Sequence, residues 1–134
     1  MLPFSINLKA GQPVAEQIIF AAKKAVVAGQ LKAGDRFPSV RVLGQELRIS
    51  PNTAHKVIAA LVDEGVLLTT PAIGSVVAAH EAGGRKECAH LLGADVERLV
   101  VEAKKLGLDQ EDVHAAVDEH WEKLKMPSRQ YSHK

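Results

Sequence analysis

The run Ser50-Pro51-Asn52-Thr53-Ala54-His55-Lys56 gathers hydroxyls, a carboxamide, an imidazole and an ammonium group within two helical turns, with no carboxylate among them. Such a set donates and accepts hydrogen bonds and carries positive charge. It does not supply a nucleophile, a base and a positioning group in one cleft, so it suits recognition better than bond-breaking. Upstream, Gly34-Asp35-Arg36-Phe37-Pro38-Ser39-Val40-Arg41 adds Arg36 and Arg41, and Lys32 precedes it. The spacing predicts a helix, a tight turn and a second helix whose first turn is polar and basic. That arrangement places side chains on base edges in a DNA major groove.

The elements that must hold these groups are legible around them. Val14, Ile18, Ala22, Ala25 and Val26 recur at helical spacing after Pro13, and Gly29 follows as a natural stop, which predicts a helix over 13–28. Ser39 can cap a second helix carrying Val40, Leu43 and Leu47, within which Gly44 marks a close approach. Ile49 is apolar in the short link, as a packed-down turn requires. Ser50 caps a third helix with Pro51 at its first position, and Ala54, Val57, Ile58, Leu61 and Val62 form its buried stripe. Asn52, Thr53, His55 and Lys56 are then left facing outward. After Gly65 the period changes: Val66–Thr70 and Ser75–Ala78 read as strands joined by a four-residue loop, Pro71-Ala72-Ile73-Gly74, which makes a wing.

Residues 79–88, with Ala82-Gly83-Gly84, read as a linker running into a helix of about 86–106. There Ala89, Leu92, Val96, Leu99, Ala103 and Leu106 recur in a narrow stripe closer to a coiled-coil seam than to a globular face. Gly107 ends that helix, and Asp109 with Asp112 can cap another, about 110–125, carrying Val113, Val117, His120 and Leu124. Two helices alone cannot bury such a seam, so it predicts packing on the first domain, on a second copy of the chain, or on both. The fold expected is mainly α with a small β-wing: a winged helix-turn-helix domain over 1–80, followed over 81–134 by a two-helix C-terminal dimerisation hairpin.

The pieces Gly29–Arg36, Pro38–Arg41, Ser50–Thr53 and Leu61–Leu67, in this order and spacing over about residues 11–78, resemble the GntR family of bacterial transcription regulators. The short two-helix tail and the Pro-Asn-Thr of the third helix resemble its YtrA subfamily. The resemblance implies a homodimer that binds double-stranded operator DNA at an inverted repeat, with repression as the mode of control. It implies that Arg41 reaches DNA from the second helix and that Ser50, Asn52 and Thr53 contact phosphate or base. Lys32, Arg36, Ser39, Pro51, His55, Lys56, Thr70 and Gly74 complete the expected DNA-binding set. Two departures stand out: His55 occupies a place where many relatives carry arginine, and Thr70-Pro71-Ala72 stands where relatives often have Arg-Arg-Gly before the glycine matching Gly74. The first argues for a different base preference, the second against minor-groove contact by the wing.

Charge and composition narrow the alternatives. Residues 1–80 hold eight Lys and Arg against five Asp and Glu, whereas 81–134 hold nine against eleven, so the basic half is the one suited to a polyanion. One cysteine, Cys88, excludes an internal disulfide and a multi-cysteine zinc site, and neither Cys88 with His90 nor His114 with His120 has the spacing of paired ligands on a helix. No metal and no cofactor is expected, no run is long enough to span a membrane, and no secretory leader pattern opens the chain, so the cytoplasm is the expected compartment. Each DNA-facing assignment has a plainer competitor. Arg41 can be a solvated charge or a partner for Glu46, and Lys32 and Lys56 can be ordinary surface lysines. The rival for the whole chain is a winged-helix protein–protein interaction module with weak or lost DNA binding. The residues name neither operator, regulated genes nor small-molecule effector.

Overall fold

The computed structural model describes residues 2–79 and 83–125. They form two compact units, one holding the residues up to 79 with Leu124 and Lys125, the other those from 83 to 123.

In the first unit three helices surround one core. Helix α1 (Val14–Val27) buries Ile18, Ala22 and Ala25. Helix α2 (Val40–Leu47) buries Leu43, and the Ser39 hydroxyl caps it by accepting the Val42 N–H at 3.2 Å. Helix α3 (Pro51–Asp63) buries Ala54, Val57 and Leu61, with Ile58 and Val62 half-buried beside them. Ile18, Leu43 and Leu61 are wholly enclosed, and each such side chain contributes roughly 1.5–3 kcal/mol relative to an exposed one. The same core takes in Phe4, Leu31, Phe37, Leu67 and Val77, with Ile49 packed against it from the turn.

The connections have local causes. Gly65, at φ 80°, lets the Val66 N–H return to the Leu61 carbonyl at 2.9 Å, closing α3 and starting the wing. Between α2 and α3 the same reversal is made by Arg48, at φ 55°, a conformation that L side chains rarely adopt. At Gly44, where close helix packing is the expectation from the sequence, the near neighbour is the turn itself. A Cβ there would lie 3.3 Å from the Ile49 carbonyl oxygen, so the chain folds back onto the helix it has just left.

The wing is an antiparallel pair, β1 (Leu67–Thr70) and β2 (Gly74–Val77), with Leu67 opposite Val77 and Thr70 opposite Gly74. Its loop is therefore Pro71-Ala72-Ile73, not four residues, and Gly74 belongs to the ladder. The Ile73 N–H reaches the Thr70 carbonyl at 3.2 Å with Ala72 at φ 71°, as in a type II turn with Pro71 first of the two inner residues. On its other edge β2 pairs with the stretch before α2: Phe37 N–H donates to Ser75 at 2.9 Å, Gly34 N–H to Val77 at 2.9 Å, and Val77 N–H to Asp35 at 2.8 Å. The N-terminal segment is held too. Phe4 stacks on Phe37 at 5.8 Å between centroids, and the Gln17 carboxamide accepts the Lys9 N–H at 2.7 Å and donates to the Lys9 and Gln12 carbonyls.

The first helix of the second unit starts at Arg85, close to the expected start at about 86. Helix α4 (Arg85–His90) already includes residues assigned above to the linker, whose residues 80–82 lie outside the described residues. It continues through a π-helical turn (Leu91–Asp95) into α5 (Val96–Lys105). Within that turn the Val96 N–H reaches back five residues to the Leu91 carbonyl. The extra residue shifts the phase of the helix between Ala89 and Val96. Gly107, at φ 82°, ends α5, with the Leu108 N–H on the Ala103 carbonyl at 2.9 Å. Asp109 and Asp112 then cap each other reciprocally at the start of α6 (Gln110–Lys123), the two backbone N–H groups donating at 3.0 and 2.9 Å.

Candidate nucleic-acid interface

The N-terminus of α3 is built by Ser50. Its backbone is extended and its hydroxyl accepts the Thr53 N–H at 3.2 Å, while Pro51 takes a position where no N–H is needed. Helix geometry leaves the Asn52 N–H without an intrahelical acceptor and the positive end of the helix dipole facing outward. Asn52, His55 and Lys56 are exposed and Thr53 is half-buried. With Ala59 they line an open depression of about 460 Å³ along one side of the helix. Asp63, at the far end, is the first acidic residue of α3.

The other expected contact residues lie in three places. Ser39 and Arg41 are exposed at the first turn of α2, where Ser39 is occupied as a cap. Lys32 and Arg36 are exposed before α2. The Lys32 backbone N–H donates to the Asp35 carboxylate at 2.9 Å, and the backbone of Arg36 bridges to Val76 at the wing's edge. Thr70 and Gly74 face each other across the wing where its loop begins. From Gly65 to Ala79 there is no charged residue, and Leu68 and Ile73 are exposed. The wing therefore offers a phosphate backbone hydroxyls and amides but no cation.

In the second unit Ala89, Leu92, Val96, Leu99, Leu106, Val117 and His120 are exposed, Val113 is half-buried and Ala103 buried; Leu124, grouped with the first unit, is half-buried. Leu92 and Leu106, at 71% and 72% exposure, are more open than large aliphatic side chains usually are in a monomer. Trp121, on α6, is equally open, at 73%.

Sequence reasoning passed over two supports of the site. The strand-like pairing of residues 34–37 with β2 ties the segment before α2 to the wing, yet Gly34-Asp35-Arg36-Phe37 has no strand periodicity that would reveal it. The Phe4–Phe37 stack and the Gln17 clamp lie in the N-terminal segment, whose only signal was two aromatic residues far apart in sequence.

Residues 14–77 match the model of the bacterial regulatory proteins of the gntR family. The chain is 28% identical over 115 residues to the HTH-type transcriptional repressor YtrA of Bacillus subtilis, covering 85% of this chain and 88% of that protein. Among solved structures it is similar to a transcriptional antiterminator from Listeria monocytogenes EGD-e, with a TM-score of 0.81 at 27% identity, covering 90% of this chain and 91% of the other. A GntR family transcriptional regulator from Listeria monocytogenes matches with a TM-score of 0.61 at 26% identity, covering 84% and 98% of the two chains.

Proposed function

We propose that this chain, whose residues 14–77 match the bacterial regulatory proteins of the gntR family, is a DNA-binding transcription regulator of that family, a repressor acting in the cytoplasm as a homodimer on an inverted-repeat operator. The first unit contacts DNA and residues 81–134 join the two copies, of which 126–134 lie outside the described residues. The observation that carries the reading is the exposed, acid-free edge of α3, with Arg41 exposed in the first turn of α2. Asn52, Thr53, His55 and Lys56 enter the major groove. Arg41, Lys32 and Arg36 meet phosphates, as do the Ser50 and Asn52 end of the helix and the capping Ser39. Pro51 shapes the entry, and Thr70 and Gly74 approach the backbone only as neutral groups. Repression accords with the name of the Bacillus subtilis relative. Control is steric: two recognition helices about 34–36 Å apart occupy successive major grooves and change promoter access.

The test is binding of the full chain to duplex fragments across a salt series. Affinity for one specific inverted repeat should fall steeply and linearly on logarithmic axes as salt rises, because each neutralised phosphate releases counterions. No binding to any duplex at low salt would overturn the proposal. It would favour instead a protein–protein module, the reading for which the uncharged wing with exposed Leu68 and Ile73 speaks.

A further inference from the structure

Resting on that DNA-binding reading, we propose that the α3 edge specifies an adenine–thymine pair in each half-site, with the Asn52 carboxamide as the base-reading group. The hydroxyls nearest to it are already engaged. Ser50 Oγ accepts the Thr53 N–H and lies 3.0 Å from Thr53 Oγ1, so these two groups serve the cap first. Asn52, His55 and Lys56, by contrast, make no side-chain hydrogen bond or ion pair among the described residues, and they share one depression with Ala59. Positions 52, 55, 56 and 59 follow one another down a helix face. The seven steps from 52 to 59 rise about 10 Å, the length of about three base-pair steps.

The chemistry along that line discriminates between bases. Guanine shows the major groove two acceptors, which a guanidinium or ammonium group meets, whereas adenine shows an acceptor at N7 beside a donor at N6. A carboxamide carries the complementary donor and acceptor side by side. No guanidinium stands on the α3 edge. Its one cation, Lys56, is a point charge on a flexible stem, suited to a phosphate. Ala59 brings only a methyl group to the far end of the line, which leaves room for a thymine methyl and lets the helix backbone lie close. Arg41, on the preceding helix, lies on the element that crosses the phosphate backbone in this kind of docking.

The experiment selects duplexes from a randomised pool with the full chain, then measures affinity with 7-deazaadenine replacing each selected adenine in turn. The expected result is an adenine–thymine pair fixed in both half-sites, whose 7-deaza replacement weakens wild-type binding by about 5- to 10-fold through loss of one bond of the bidentate pair. Asn52→Ala should lose at least a similar factor on the selected duplex and become indifferent to the replacement. The inference is overturned if 7-deazaguanine and not 7-deazaadenine weakens wild-type binding, or if Asn52→Ala retains the adenine preference. Either result leaves DNA binding itself intact, whereas failure to retain any duplex overturns both readings.

Discussion

Ser50 and Thr53 close the front of α3 as a pair: Ser50 Oγ accepts the Thr53 N–H at 3.2 Å and stands 3.0 Å from Thr53 Oγ1. One hydroxyl thus satisfies an otherwise orphaned donor and fixes a neighbouring side chain immediately around Asn52. Ser50→Ala should lower stability by about 1 kcal/mol. Ser50→Asp, a cap of equal quality, should keep the thermal midpoint of the wild type yet reduce DNA affinity at least about 10-fold, because it sets a carboxylate where a phosphate approaches. Thermal melts paired with binding isotherms separate the effects. If the aspartate variant binds DNA as well as the wild type, the end of α3 does not face the duplex.

The wing turn stores a conformational cost that one substitution should release. Ala72 adopts φ 71° at the position of a type II turn that favours glycine, and Pro71 before it is the favoured first inner residue. Ala72→Gly should therefore stabilise the domain by roughly 0.5–1 kcal/mol, the αL penalty of a Cβ less the extra freedom glycine has when unfolded. Chemical denaturation is the measurement. An unchanged or lower midpoint would mean that the turn is not held in this form in solution.

Leu43 is the only fully buried side chain of α2, and it sits in the core shared with α1 and α3. Leu43→Ala should cost about 2–5 kcal/mol, since the removed methyls leave a cavity between helices that cannot all close on it. In a small domain that is a large share of total stability, so urea unfolding should show a much earlier midpoint and DNA binding should fail at physiological temperature. A loss below about 1 kcal/mol would place Leu43 outside the load of the core.

Much of this architecture was readable because its signals are local and strong. Ser39 and Ser50 precede apolar stripes and cap as expected; Gly29, Gly65 and Gly107 all carry positive φ where helices stop. The reciprocal pair Asp109 and Asp112 announced α6 from three residues of spacing. What escaped was non-local or contrary to propensity. Arg48 adopts a left-handed conformation without being glycine, because the turn it makes is enforced by packing of Ile49 into the core. Ala72 takes the corresponding role in the wing, which hid a three-residue loop behind the glycine that follows it. The π-helical turn ending at Asp95 has no compositional mark beyond Gly93, and it shifts the helix phase within a stripe whose sequence period looked continuous. For the candidate site the sequence set Asn52, Thr53, His55 and Lys56 facing outward and Ser50 in the cap; Asn52, His55 and Lys56 are exposed, whereas Thr53 is half-buried with its hydroxyl beside that of Ser50, a pairing the spacing alone did not reveal.

The seam on the second unit supplies the last prediction. Leu99 and Leu106 lie on the line carried by α5, exposed at 46% and 72%, and an apolar row so open is stable only when something covers it. If the cover is a second copy, the same row meets itself or its equivalent across a two-fold axis, and a charge placed in its middle is buried without a partner. Leu99→Asp should then raise the concentration at which dimers form by at least about 10-fold, equivalent to about 1.4 kcal/mol. The secondary structure of the first unit should be unaffected. Affinity for a full inverted repeat should fall towards that for a single half-site, because the two recognition helices no longer arrive together. Sedimentation of both proteins at micromolar concentration reads the first effect and titration of whole and half operators the second. A wild-type chain that sediments only as a monomer under these conditions removes the homodimer from the mechanism.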